Sequence, residues 1–140
     1  MFNPDLESDV PGEVIRLRST VDQADALIIA SPEYAHGITG VMKNALDWLV
    51  SFEGFVGKPV ALLNASPRAH HADAALREVL RTMSARIVEG ASIAFPLLGS
   101  GMNEAEMMAS KELRRTFNSV FVALADVVGG GSEAPTLPVS

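Results

Sequence analysis

Two short loops carry the residue types from which a ligand site could be built. Ser31-Pro32-Glu33-Tyr34-Ala35-His36-Gly37 follows the apolar run Ala26-Leu27-Ile28-Ile29-Ala30. It offers a stiff proline, an aromatic ring and a glycine as a wall for a planar ring system. Asn64-Ala65-Ser66-Pro67-Arg68 follows a second apolar run, Pro59-Val60-Ala61-Leu62-Leu63. Its backbone N–H groups and small hydroxyl suit the hydrogen-bonding of ring carbonyls and nitrogens. Other chemistries fit less well. Ser66 with His70 could be a nucleophile and a base, but neither a Gly-x-Ser-x-Gly elbow nor an orienting acid accompanies them. His36, His70, His71 and Asp73 could suggest a metal site, yet adjacent histidines point in different directions and no carboxylate spacing supports them, so no metal is expected. No catalytic side chain is assigned. Taken singly, Pro32 and Gly37 are loop punctuation and Tyr34 is an ordinary half-buried aromatic; only the run gives them weight.

The elements that must position these loops follow from hydrophobic periodicity. Both apolar runs lack alternation, as a parallel strand covered on both faces does. A helix opening at Pro11 carries Val14, Leu17 and Val21 on one face. From Thr39 to about Ser51 a helix places Met42, Ala45, Leu46 and Leu49 on its stripe, and another, up to about Arg86, aligns Leu76, Val79, Leu80 and Met83. Ile93–Phe95 reads as a weaker third strand stopped by Pro96. A polar, Met-rich connection then leads to a last helix with Leu113, Phe117, Val120, Phe121 and Leu124 inward. Strands alternating with helices through short connections predict right-handed βαβ units and an open, doubly wound α/β sheet, whose ligands sit outside the carboxyl ends of the strands. Trp48 reads as packing. Lys43, Asn44 and Asp47 read as a solvated face with a weak Lys-to-Asp pair or as a subunit contact.

Composition sets outer bounds. One hundred and forty residues, 48% hydrophobic and 20% charged, suit one globular domain. The formal net charge of -6 leaves no basic surplus for nucleic acid or an anionic membrane. The absence of cysteine removes disulfides, thiolate catalysis and iron–sulfur ligation, and fits a cytoplasmic setting. No apolar run approaches the length of a membrane span, and the acidic start does not read as a signal peptide. Gly129-Gly130-Gly131 follows a helix instead of opening one, so it is no phosphate loop.

Ser31-Pro32-Glu33-Tyr34 followed by Gly40-Val41-Met42-Lys43-Asn44-Ala45-Leu46-Asp47-Trp48 resembles the hallmark of the NADPH-dependent FMN reductase family. Gly57-Lys58-Pro59-Val60-Ala61 leading to Ala65-Ser66-Pro67 resembles the family's next strand and flavin loop. Phe2-Asn3-Pro4-Asp5-Leu6-Glu7 resembles the segment after its second strand. The resemblance implies a flavodoxin-like, three-layer α/β/α domain that binds FMN without covalent attachment. It further implies a homodimer or homotetramer that passes electrons from NADPH or NADH to a small-molecule acceptor such as a flavin, quinone, azo dye or metal oxyanion. It places Pro32, Glu33, Tyr34, Ala35 and His36 along the isoalloxazine, and Ser66, Pro67 and Arg68 at its pyrimidine side. Two local departures stand out: Ala35-His36 occupies the place of Asn-Gly or Asn-Ser, and Arg68 that of a glycine.

A larger departure concerns the front of the family pattern. There a strand, a Gly-Ser-x-Arg-type loop that holds the FMN phosphate, a helix and a second strand precede the Phe2–Glu7 segment. The expectation is therefore a partial flavodoxin-like domain over residues 1–128, lacking the first two strands and the phosphate loop, with residues 129–140 as a flexible tail. FMN binding would be weakened or lost, and Leu27–Ile29 would form an exposed apolar edge. Two alternatives stay open: a flavin-free fragment acting through assembly, and a binding module for another aromatic ligand.

Overall fold

The computed structural model describes residues 1–66, 68–97 and 100–130. Its elements are helix α1 (Gly12–Gln23), strand β1 (Leu27–Ala30), a hairpin of β2 (Glu33–Tyr34) and β3 (Gly37–Ile38), and helix α2 (Gly40–Asp47). Strand β4 (Pro59–Asn64), helix α3 (His70–Thr82), strands β5 (Arg86–Ile87) and β6 (Ile93–Ala94), and helices α4 (Glu104–Ala109) and α5 (Lys111–Gly129) complete the chain. β4 is central. β1 runs parallel to it on one side in the register Leu27↔Val60 to Ala30↔Leu63. On its other side β5 pairs with Pro59 and Val60, and β6 with Leu63 and Asn64, again in parallel.

The side chains of β4 divide the core. Val60 and Leu62 enter one cluster with Val21, Leu46, Leu49, Phe55, Leu76 and Leu80. Ala61 points the other way, to Val88, Ala91, Val120 and Leu124 beneath α5. This period of two makes the middle strand the partition between two helical layers. β1 departs from the expected cover on both faces. Leu27 and Ile29 pack against the first cluster, whereas Ile28, in register with Ala61, is 39% exposed and Ala30 is exposed. Helix α5 packs against Ala61 and Leu63 of β4 and against Val88, Ala91 and Ile93, a cluster that Ile28 does not join. Among the described residues no strand pairs with the outer edge of β1.

Several features differ from the sequence reading. Helix α2 ends at Asp47, not near Ser51. Helix α3 ends at Thr82, not near Arg86. Ser84 adopts φ +60°, and the N–H groups of Ser84 and Ala85 donate to Arg81 O and Leu80 O, a paired closure that turns the chain straight into β5. The third strand has two halves, separated by a short 3-10 turn at Glu89–Ala91. Ser92 Oγ spans the break, accepting from Leu62 N–H at 3.1 Å and donating to Val88 O at 2.9 Å. The polar connection contains α4, started by a reciprocal cap between Asn103 and Glu106. Helix α5 continues through Gly129, and residues 131–140 of the expected tail lie outside the described residues.

The N-terminal segment is tied back onto α2. Phe2 meets buried Trp48 edge to face at 5.0 Å, and Phe2 N–H donates to Asn44 Oδ1. Lys43 pairs with Asp47 along α2, as the spacing predicts. Arg18 fastens three segments: it donates to Trp48 O at 3.0 and 2.8 Å, to Ser51 Oγ at 3.0 Å and to Glu7 Oε2 at 3.1 Å. The Arg18 bond holds the Glu7 carboxyl below its ordinary value, with Ser51 acting in the same sense. Replacing Arg18 by Met keeps the aliphatic stem and removes these charged donors. The expected loss is about 2 kcal/mol in unfolding free energy, measured by urea denaturation.

Candidate functional site

The site is assembled by the parallel pairing of β1 with β4, because two adjacent parallel strands end at the same edge of the sheet. The loops that leave them, beginning at Ser31 and at Ala65, therefore lie side by side. Between them is a cleft of about 180 Å³ lined by Ala30, Ser31, Pro32, Glu33, Leu63, Asn64, Ala65, Ser66 and Ala69. Its walls are mainly apolar, with backbone and small polar groups at the rim. A whole small-molecule pocket usually measures roughly 300–1,000 Å³, so this cleft is sized for part of a ligand, one edge or face of a ring.

The first loop folds back as a two-residue hairpin, Glu33 opposite Ile38 and Tyr34 opposite Gly37. Ala35 and His36 occupy its tip with φ of +49° and +61°, the pair of left-handed conformations that a tight hairpin of this hand requires. Asn-Gly meets that requirement with little strain, and the Ala-His pair found here meets it at a conformational cost. Contacts hold the tip in place. The His36 ring lies 4.5 Å from that of His71, which in turn lies 4.1 Å from His70. Among the described residues no group of His, Asp and Glu side chains is arranged to hold a metal ion.

Glu33 joins the hairpin to α3. No side chain at Ala69, where α3 begins, caps the helix; instead Glu33 Oε2 accepts from Ala72 N–H at 2.9 Å. A carboxylate at a helix N-terminus satisfies an orphan donor and meets the positive end of the helix dipole. That bond holds the Glu33 carboxyl below its ordinary value, against a smaller opposing effect of desolvation and with further help from His71 and His36. The second loop is held by Asn64. Its Oδ1 accepts from Ser66 N–H at 3.0 Å, its Nδ2 donates to Ala69 O at 3.1 Å, and Ala69 N–H donates to Ser66 O at 2.9 Å.

Of the residues named from the sequence, Pro32, Glu33 and Ser66 line the cleft together. Tyr34 is 68% exposed, Ala35, His36 and Arg68 are exposed, and none of these four lines it. Pro67 lies outside the described residues. The single-residue reading passed over Asn64 and Ser31. Asn64 could have been marked by its place at a strand end two residues before Ser66, the spacing at which an Asn side chain bonds the backbone.

The arrangement is that of an open α/β protein with a ring-sized cleft at the carboxyl ends of adjacent parallel strands. The family model described as NADPH-dependent FMN reductase matches residues 1–97. The chain belongs to that family. A NADH:(hydroxy)cinnamate reductase subunit of Vibrio ruber is 33% identical over 124 residues, covering 79% of this chain and 61% of the relative. A NAD(P)H-dependent FMN reductase of Pseudomonas aeruginosa is 42% identical over 69 residues, 47% of this chain and 37% of its own. The chain thus spans less than two thirds of the length of the curated relatives it matches. Among solved structures, the flavoenzyme NAD(P)H:(acceptor) oxidoreductase of Paracoccus denitrificans superposes with a TM-score of 0.74 at 26% identity, over 92% of this chain and 74% of that one. The fold is flavodoxin-like.

Replacing Ala35 by Asn relieves one left-handed position and is expected to stabilise the chain by about 0.5–1 kcal/mol, measured as a raised urea midpoint. For Glu33 the folded-state pKa lies below the ordinary 4.5. Its contribution is therefore complete above the ordinary carboxylate range and is lost as pH falls through the lowered folded value. Glu33→Gln should be less stable than the parent at neutral pH, and the gap should close on acidification, as followed by urea melts at a series of pH values.

Proposed function

We propose that this chain supplies the ring-holding part of an FMN-dependent NAD(P)H oxidoreductase that passes electrons from NADPH or NADH to a small-molecule acceptor of the flavin or quinone class. The observation that carries the reading is the single cleft formed by Pro32 and Glu33 from one loop and Asn64, Ala65 and Ser66 from the other. Family membership supports it, as do relatives described as a quinone reductase in Escherichia coli and an NADPH azoreductase in a Bacillus strain.

The residues present fit one portion of FMN. The ring would lie against Pro32 and the Ala65–Ser66 backbone, with Tyr34, Ala35, His36 and Arg68 outside the cleft as its rim. FMN, when bound, supplies the hydride-accepting chemistry, so no acid–base side chain is required of the protein. Glu33 and Asn64 keep the two loops at a fixed separation, which is the protein's share in orienting a reaction between stacked rings. None of the described lining residues is cationic, so the phosphate needs an anchor from elsewhere. That observation favours one second reading, a flavin-free chain that acts through assembly. A homodimer or homotetramer in the cytoplasm fits the apolar edge of β1 and the absence of cysteine. Among the described residues no helix is long and apolar enough to cross a membrane.

Titration of the purified chain with FMN, followed by flavin fluorescence, tests the proposal together with NADPH oxidation in the presence of a quinone. Saturable binding with turnover is expected, and Asn64→Ala should weaken FMN binding about tenfold by loosening the second loop. A chain that neither changes the fluorescence of FMN nor consumes NAD(P)H sinks the proposal and leaves the assembly reading.

A further inference from the structure

Three imidazoles meet where the hairpin tip touches the start of α3. The His36 ring lies 4.5 Å from that of His71 at an interplanar angle of 38°, and the His71 ring lies 4.1 Å from that of His70 at 37°. His70 Nδ1 is 3.0 Å from Arg68 O, a carbonyl it can meet only as a donor. The contact joins two elements of the described fold, the turn between β2 and β3 on one side and the first turn of α3 on the other. The hairpin is therefore gripped at two points. One is the Glu33 carboxylate on Ala72 N–H at 2.9 Å, and the other is the ring contact at the tip.

We infer that the tip contact is a pH-operated clasp, closed while the imidazoles are neutral and released when they take up protons, with the Glu33 anchor still in place. Imidazole is the side chain that gains charge on mild acidification. Once neighbouring rings are protonated, they become like charges in contact. His70 and His71 also occupy the first turn of α3, where the positive end of the helix dipole disfavours a cation. The surrounding groups do not offset this. Arg68, exposed on the turn before α3, is a further cation. Asp73 is held by Arg77, which also binds Glu89. Arg86 of β5 lies beyond the C-terminal end of α3, and the phenol of Tyr34, 68% exposed, brings no charge in this range. Glu33 is thus the carboxylate left to face the cluster, and after protonation it meets three imidazoliums and a guanidinium. Its own carboxyl is held below the ordinary 4.5, chiefly by Ala72 N–H, so the anchor outlasts the clasp as pH falls. Strain favours release, because Ala35 and His36 keep left-handed conformations only while their surroundings hold them. The loop that supplies Pro32 and Glu33 to the cleft is therefore held at two points above the imidazole range and at one point below it. The movement stands whether or not the chain binds FMN.

The test follows the ring protons of the three histidines and the amides of Ala35, His36 and Gly37 by NMR between about pH 8 and about pH 5.5. Cross-relaxation between the His36 and His71 rings should be present at the upper pH and fall at least about fivefold at the lower, and about 0.5 M sodium chloride should restore part of it by screening. The amide shifts at the tip should titrate in parallel. His71→Phe keeps a ring at the contact and removes its proton site, so its cross-relaxation to His36 should persist at the lower pH. His71→Gln removes the ring, and its tip amides at the upper pH should match those of the parent at the lower, with circular dichroism confirming both folds. A ring contact that survives acidification in the parent, or that is lost equally from His71→Phe, overturns the inference. So does a transition found only below 4.5, which would belong to the Glu33 carboxyl.

Discussion

The parallel ladder between Leu27–Ala30 and Val60–Leu63 is the constraint on which the site rests. Parallel pairing forces both strands to finish at one edge of the sheet, so the loops that follow begin as neighbours though they lie more than thirty positions apart in the chain. The same ladder organises the core. Val60 and Leu62 face one helical layer and Ala61 the other, and all three are fully or almost fully buried. A one-residue slip of β4 against β1 would exchange these faces and separate the loops, so packing and site geometry are specified together.

On that frame, two polar side chains set the fine geometry of the cleft. Glu33 spends one carboxylate oxygen on the N-terminus of α3, and Asn64 spends both ends of its amide on the loop that carries Ser66. Each satisfies backbone groups that would otherwise lack partners near the cleft. The hairpin tip shows the opposing pressure. Ala35 and His36 hold left-handed conformations suited to Asn and Gly, and the contact between the tilted rings of His36 and His71 joins the tip to α3. Strain in the turn and contact across it are thus local and adjacent.

The distribution of charge and apolar surface differs between the two concavities. The cleft between the two loops is small, mainly apolar and, in its described lining, without a cation. An open groove along α5 is larger, softer and cationic. The first lies within residues 1–97, the span that the family model matches. The groove falls almost entirely beyond that span, on α4 and α5.

Much of this architecture was legible in the residues. Unbroken apolar runs at 26–30 and 59–63 announced parallel strands, and the stripes of α1, α2, α3 and α5 gave the helices. The Pro-, Tyr- and Ser-bearing loops gave the candidate site, because loops after buried strands are where backbone and small side chains face a ligand. Other features required the fold. Whether β1 was covered on its second face depended on the reach of α5. The end of α3 depended on Ser84 turning left-handed, which a serine does not signal. Glu33 as the cap of α3, with Asn64 Nδ2 tied to Ala69, depended on which helix start the loops meet in space. Periodicity reports which face of an element is apolar and is silent on which neighbour lies against it. The sequence by itself therefore determined the elements, their order and the two loops, while only the tertiary structure decided that Pro32, Glu33 and Ser66 share one cleft and that Tyr34 stands outside it.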